Sequence, residues 1–178
     1  MKKTMNLRRL IPAALLLSLI LACGSVFAYM FMRTDSYITT FSPAQVSCSV
    51  AETFDGTRKS SITVKNTGNI PAYLRVRLVS YWVDGEGNVV PKDPPDLSFT
   101  VNSGWIKGVD HTYYYTEPVE PNDYRDLLAS PIELIEQDGY RQCVDVFAEA
   151  IQAEPAAAVT ESWNVTLDGG NTITGCSP

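Results

Sequence analysis

The chain has a single histidine, His111, in "GVDHTYYYTEP". A hydrolytic zinc centre needs about three protein ligands around an activated water, commonly with two histidines one helical turn apart. His111 has no Glu or Asp at a matching helical spacing, and an aromatic run follows it directly. It therefore reads as a surface or strand-end histidine. Serine chemistry lacks the same base and has no Gly-x-Ser-x-Gly elbow, and nothing in the spacing sets His111 beside Cys48 or Cys143 as base for a thiol. Carboxylate pairs such as Glu133 with Glu136 remain, but a chain with 20 acids always offers some pairs. In "DGEGN", Asp84, Glu86 and Asn88 alternate like the opening ligands of a calcium loop. The pattern then fails, because the sixth position is Val89 instead of Gly and the twelfth is Pro95. The stretch reads as a hairpin turn, and Asp93 and Asp96 of "PKDPPD" read as a solvated loop. The expectation is a protein with no catalytic residues, no metal and no cofactor.

What must position any site is the exported part of the chain. "MKKTMNLRR" is a basic n-region, and the run from Leu10 to Met32 carries no charge. "SVFA" places Val26 and Ala28 at the small-residue positions a signal peptidase reads, so the expected cleavage separates residues 1–28 from a mature start at Tyr29. Residues 10–32 are also long enough to span a bilayer as an uncleaved anchor. A third fate, lipidation at Cys23 in "ILAC", has bulky Leu21 where a small residue is usual.

Cleavage at Ala28 removes Lys2, Lys3, Arg8 and Arg9 from the 14 basic residues and none of the 20 acids. The remaining 10 against 20 give a net charge near -10. Such a surface repels nucleic acid and anionic lipid, so neither is expected as a partner, and membrane contact is expected only through the N-terminal segment. Cys48, Cys143 and Cys176 then remain, in spacings that match no metal motif. An odd count in an exported protein means one pair plus a spare, or none. Cys48 and Cys143 sit in strand-like runs and are the expected pair, with Cys176 spare.

The exported part has a period of two wherever it is legible. Ile62 and Val64 alternate with Ser61, Thr63 and Lys65, and "NTGN" then supplies residues that tolerate positive φ, which reads as a hairpin turn into a second arm. In that arm Ala72, Leu74, Val76, Leu78 and Trp82 share one face, and Tyr73, Arg75, Arg77 and Tyr81 the other. Arg75 and Arg77 are expected opposite acids across the strands. Short aromatic and β-branched runs follow, separated by Gly, Asn and Pro, as in a sandwich or barrel. "NDYRDLLASPIELI" is open between a helical turn and extended chain. "CVDVFAEAIQAEP" is evenly divided, with Val144, Phe147 and Ile151 at helical spacing and Val144, Val146, Ala148 and Ala150 at strand spacing. "PAAAVTESW" predicts a short helix that returns Trp163 to the core. Residues 169–178 read as a flexible tail behind a domain of residues 29–168.

The signal run leading into "FAYMFMRTDSYITTF", the pair around "VKNTGNIPAYLRVRL", "YYYTEPVEPND" and "VFAEAIQAEPAAAVTESW" together resemble the TasA and camelysin family, exported proteins processed by the SipW-type signal peptidase. Signals in that family commonly end in something like "GTLAYFTD" before a strand, and here Met30 to Arg33 depart most from that pattern. The resemblance covers nearly the whole chain. It implies an all-β, antiparallel jelly-roll-like β-sandwich with "AEAIQAE" as a strand, one short helix near the C-terminus, and a hydrophobic signal helix in front. Although camelysin is described as a metal-dependent protease, one histidine does not furnish that chemistry here. The resemblance implies instead a secreted subunit of biofilm-matrix fibres at the cell surface, partnered by copies of itself or related surface subunits and by a dedicated signal peptidase. In such fibres an N-terminal strand of one subunit completes the sheet of the next. The matching segment runs from Tyr29 to Phe41, with Tyr29, Phe31, Tyr37 and Phe41 on one face and Met30 and Met32 opposite. The same segment serves equally as the chain's own first strand or as a linker below a membrane anchor. The functional alternative is a membrane-tethered, monomeric adhesion or ligand-binding sandwich.

Overall fold

The computed structural model describes residues 43–177, with Leu16 and Ser18 in addition. Among the described residues, antiparallel sheet dominates. The strands are β1 (Cys48–Phe54), β2 (Arg58–Asn66), β3 (Ala72–Val83), β4 (Val89–Val90), β5 (Trp105–Lys107), β6 (Thr112–Tyr115), β7 (Tyr124–Asp126), β8 (Ile132–Glu133), β9 (Glu136–Gln137), β10 (Tyr140–Gln152), β11 (Val165–Leu167) and β12 (Ile173–Cys176). One helix, α1 (Ala157–Trp163), lies between β10 and β11.

The first sheet is built on β2, with β1 on one side and β7 and β8 on the other. The second is built on β3, which pairs with β10 over twelve residues on one side and with β6 and β4 on the other, β5 lying beyond β6. Alternation decides what faces inward. Ile62 and Val64 of β2, with Leu74, Val76, Leu78 and Val144 of the second sheet, join Leu127, Ile132, Trp105 and Tyr113 in one buried cluster. Each such side chain contributes about 1.5–3 kcal/mol by leaving water. The divided reading of "CVDVFAEAIQ" resolves as strand, since all twelve residues from Arg141 to Gln152 are in register with β3. "PIELI" is extended through β8.

The Asn66–Asn69 stretch is not the hairpin turn that its sequence suggests. β2 and β3 belong to different sheets, so the stretch is a corner carrying the chain from one to the other. Asn66 is fully buried, and its side chain organises the corner. Its Nδ2 donates to the carbonyls of Ile70 (2.9 Å) and Val119 (2.8 Å), and its Oδ1 accepts from the Gly68 N–H (2.9 Å). Asn69 reaches back to the segment ahead of β1, accepting from Gln45 N at 2.7 Å and donating to Pro43 O at 3.0 Å. Gly68 is required by closeness, because a Cβ there would lie 2.3 Å from the Gln45 carbonyl oxygen. A turn-like composition satisfies a buried corner as well as a hairpin, because both need local side-chain to backbone bonds.

Two further expectations change. Residues 169–178 are not a loose tail up to the last described residue. Asp168 Oδ1 accepts from the Gly170 and Thr172 N–H groups, the chain turns, and β12 pairs back onto β11. Ile173 is 1% exposed, so the folded unit extends past residue 168. The face carrying Tyr73 is also not simply wet. Val159 and Trp163, one turn apart on α1, join Val165 and Ile173 in a second cluster with Tyr73 and Tyr114. The C-terminal helix and hairpin thus cap one half of the second sheet's outer face.

Candidate assembly edge

β10 is bonded to β3 along one side, yet on the other only Tyr140 and Arg141 have a strand partner, in β9. From Cys143 to Gln152 that edge is unpaired among the described residues. β1 is likewise paired on one side only, with β2. The two edges run side by side. The charge of Glu149 acts on the Cys48 thiol at one end, and Phe54 shares a small cavity with Cys143, Val144 and Asp145 at the other.

Core coverage thins along this seam. Leu74, Val76 and Leu78 of β3 are no more than 1% exposed, whereas Val146, Ala148 and Ala150 of β10 and Cys48 and Val50 of β1 are only partly buried. An unpaired edge beside an incompletely covered core invites another strand. No Pro or Gly interrupts β10 between Cys143 and Gln152 to prevent it.

The outer face of β10 carries Cys143, Asp145, Phe147, Glu149 and Ile151. Ile151 packs under the C-terminal cap. Glu149 accepts from Arg75 Nη2 at 2.6 Å and Nε at 3.1 Å, and the same guanidinium lies 4.7 Å from the Trp163 ring centre. The expectation that an arginine of this pair faces an acid across the strands therefore holds for Arg75. Arg77 is opposite Phe147 instead. Beyond the cap the face is bare: Phe147 is 53% exposed, Val79 is exposed, and Asp145 accepts from the Tyr81 hydroxyl at 3.1 Å. Among the described residues neither Arg77 nor Asp145 has an ion-pair partner.

Cys48 and Cys143 are both free, as is Cys176. Cys48 points toward the core and lies near Glu149, six positions along β10 from Cys143, about 20 Å at 3.3 Å per residue. Cys143 also faces the opposite side of its strand. A disulfide needs Cα atoms within about 7 Å, so the expected pair is not formed. Burial, with a smaller contribution from Glu149, raises the Cys48 thiol above its ordinary pKa.

The remaining chemical candidates are scattered. His111 precedes β6 directly, with Nε2 3.8 Å from Asp96 Oδ1. Asp84 closes the β3–β4 turn, where its carboxylate accepts from the Asn88 side chain and the N–H groups of Asn88 and Glu86, which lowers its pKa. Glu133 and Glu136 are exposed on β8 and β9. Among the described residues no three His, Cys, Asp or Glu side chains are placed to hold a metal ion. No described helix is long and apolar enough to cross a membrane. The cleavage site at Ala28 and Tyr29, the residues 10–32 apart from Leu16 and Ser18, and the assembly residues Tyr29, Phe31, Tyr37 and Phe41 lie outside the described residues.

Comparison with family models, with characterised proteins and with solved structures finds no match. The sequence reading missed the Asn66 corner and the Asp145–Phe147 surface. The available signal for the latter was a phenylalanine flanked at strand spacing by two acids, which is unusual on a covered face.

Proposed function

We propose that the chain is a secreted structural protein of the cell surface, resembling biofilm-matrix fibre subunits, with a jelly-roll-like sandwich that assembles by N-terminal strand addition. Residues 29–41 of one copy join the open edge of β10 in the next. The observation that carries this reading is the unpaired Cys143–Gln152 edge beside partly uncovered Val146, Ala148 and Ala150. Main-chain bonds to such an edge supply affinity, and alternate side chains supply fit. Addition from a second copy also suits the direction of the chain. Pro43 and Gln45 are held at the Asn66–Asn69 corner, at the Glu149 end of the seam, so a copy's own segment laid straight back along the seam from that point would run parallel to β10. Every strand pair described here is antiparallel.

The test is purified protein beginning at Tyr29, compared with a form beginning at Pro43. The longer form is expected to sediment as multimers and to give filaments by electron microscopy. The shorter form should remain monomeric with unchanged circular dichroism and melting. Monomer alone from the longer form under all conditions, or equal assembly of the shorter form, would refute the reading.

A further inference from the structure

Strand parity and charge together define how such a segment meets the edge, an inference that rests on the assembly reading above. Residues 29–41 alternate two faces in extended form. The odd face holds Tyr29, Phe31, Tyr37 and Phe41, but also Arg33 and Asp35. The even face holds Met30, Met32, Thr34, Ser36, Ile38 and Thr40, with no charge. Turning the odd face inward would bury two charges against Val146, Ala148 and Val50, where the charged pair on that face of β1 and β2, Glu52 with Lys59, is already closed on itself. That cost exceeds what the aromatic residues would gain. The even face suits the seam, because unbranched methionines fill irregular space beside small residues such as Ala148 and Ala150.

We propose that residues 29–35 of a second copy add antiparallel to β10 with Arg33 opposite Asp145, so that Phe31 stacks beside Phe147 on the outer face while Met30 and Met32 cover Ala148 and Val146 within. Three features select this register. Phe147 is exposed and takes an aromatic cross-strand partner. Phe31 and Arg33 have the same two-residue spacing as Phe147 and Asp145. Asp145 has no ion-pair partner among the described residues, whereas Glu149 is already held by Arg75. The register ends at Asp35 opposite Cys143, just short of Arg141, where β9 occupies the edge. Residues 36–42 then form the link between copies.

The register predicts a covalent contact that native Cys143 can report. In a Cys48→Ser, Cys176→Ser background, Asp35→Cys is expected to give a ladder of covalent multimers on a non-reducing gel after mild oxidation, since directly opposed Cβ atoms lie within disulfide range. Thr34→Cys and Ser36→Cys, which face inward, should give none. Independently, Arg33→Asp or Asp145→Arg alone should raise the concentration needed for assembly about five- to tenfold, and the double swap should restore it to within about threefold. A ladder from position 34 or 36 but not 35, or single swaps without effect, would overturn the register while leaving the truncation result intact. A crosslink confined to single chains would overturn addition between copies.

Discussion

Asn66 is the residue through which the corner between the sheets can be tested. Asn66→Ala removes three hydrogen bonds of 2.8–2.9 Å at a fully buried position. Each contributes about 1 kcal/mol net, and an orphaned buried partner costs about 1–3 kcal/mol. Two of the three partners keep another bond: Val119 O still accepts from Ala72 N at 3.1 Å, and Gly68 N still donates to Ser47 O at 3.2 Å. Only the Ile70 carbonyl is left without a replacement, so the loss should be about 2–3 kcal/mol. With an m-value near 2 kcal/mol per M, the urea midpoint falls by about 1–1.5 M with an unchanged slope. Asn66→Asp sharpens the test. It keeps the acceptor for Gly68 but turns a second oxygen toward two carbonyls, which raises the carboxyl pKa in the folded state. That variant binds more protons folded than unfolded, so its stability should fall as pH rises from about 4 toward 7. A midpoint shift under about 0.3 M for the alanine variant, or a pH-independent penalty for the aspartate, would refute the account of the corner.

Trp163→Ala should cost about 3 kcal/mol, because it empties the second cluster at Tyr114 and removes the ring beneath Arg75. Limited proteolysis should then cut first between residues 164 and 177, and loss of stability without that cut would argue against a separate cap. Asp55, on the surface, accepts from the Thr57 and Arg58 N–H groups, which hold its pKa to about 2. With the folded value below the unfolded one, its stabilisation is complete above about pH 4 and is lost as pH falls toward 2. Melting curves between pH 2 and 5 should be flatter for Asp55→Asn than for the wild type.

Alternation along β2 and β3 was readable because each inward residue meets a core that excludes water, and Leu74, Val76, Leu78 and Trp82 are buried as their spacing requires. Period two says which face a residue takes, however, and not which sheet its strand joins. The same "NTGN" therefore fitted a hairpin on paper and a corner between sheets in the molecule. Parity also does not say whether the outer face is covered, and Tyr73 is buried there by elements about 90 residues later in the chain. The helical spacing of Val144, Phe147 and Ile151 was accidental: Val144 faces the core, Phe147 faces solvent and Ile151 lies under the cap. Nothing local marks β10 as an edge, because edge status depends on which distant segments fail to pair with it. The distance between Cys48 and Cys143 was hidden for the same reason.

Asn69 holds Pro43 and Gln45 at the point where the N-terminal segment enters the fold. Tension drawn through that segment meets these two bonds first and then passes along the axis of β1. The ladder joining the seven residues of β1 to β2 lies across that axis, so it is loaded in shear. Bonds loaded this way share the force and yield together, whereas an opposite attachment would peel them in succession. Under the proposed strand addition, a neighbour's pull would enter at the corner and be resisted in shear by the β1–β2 ladder.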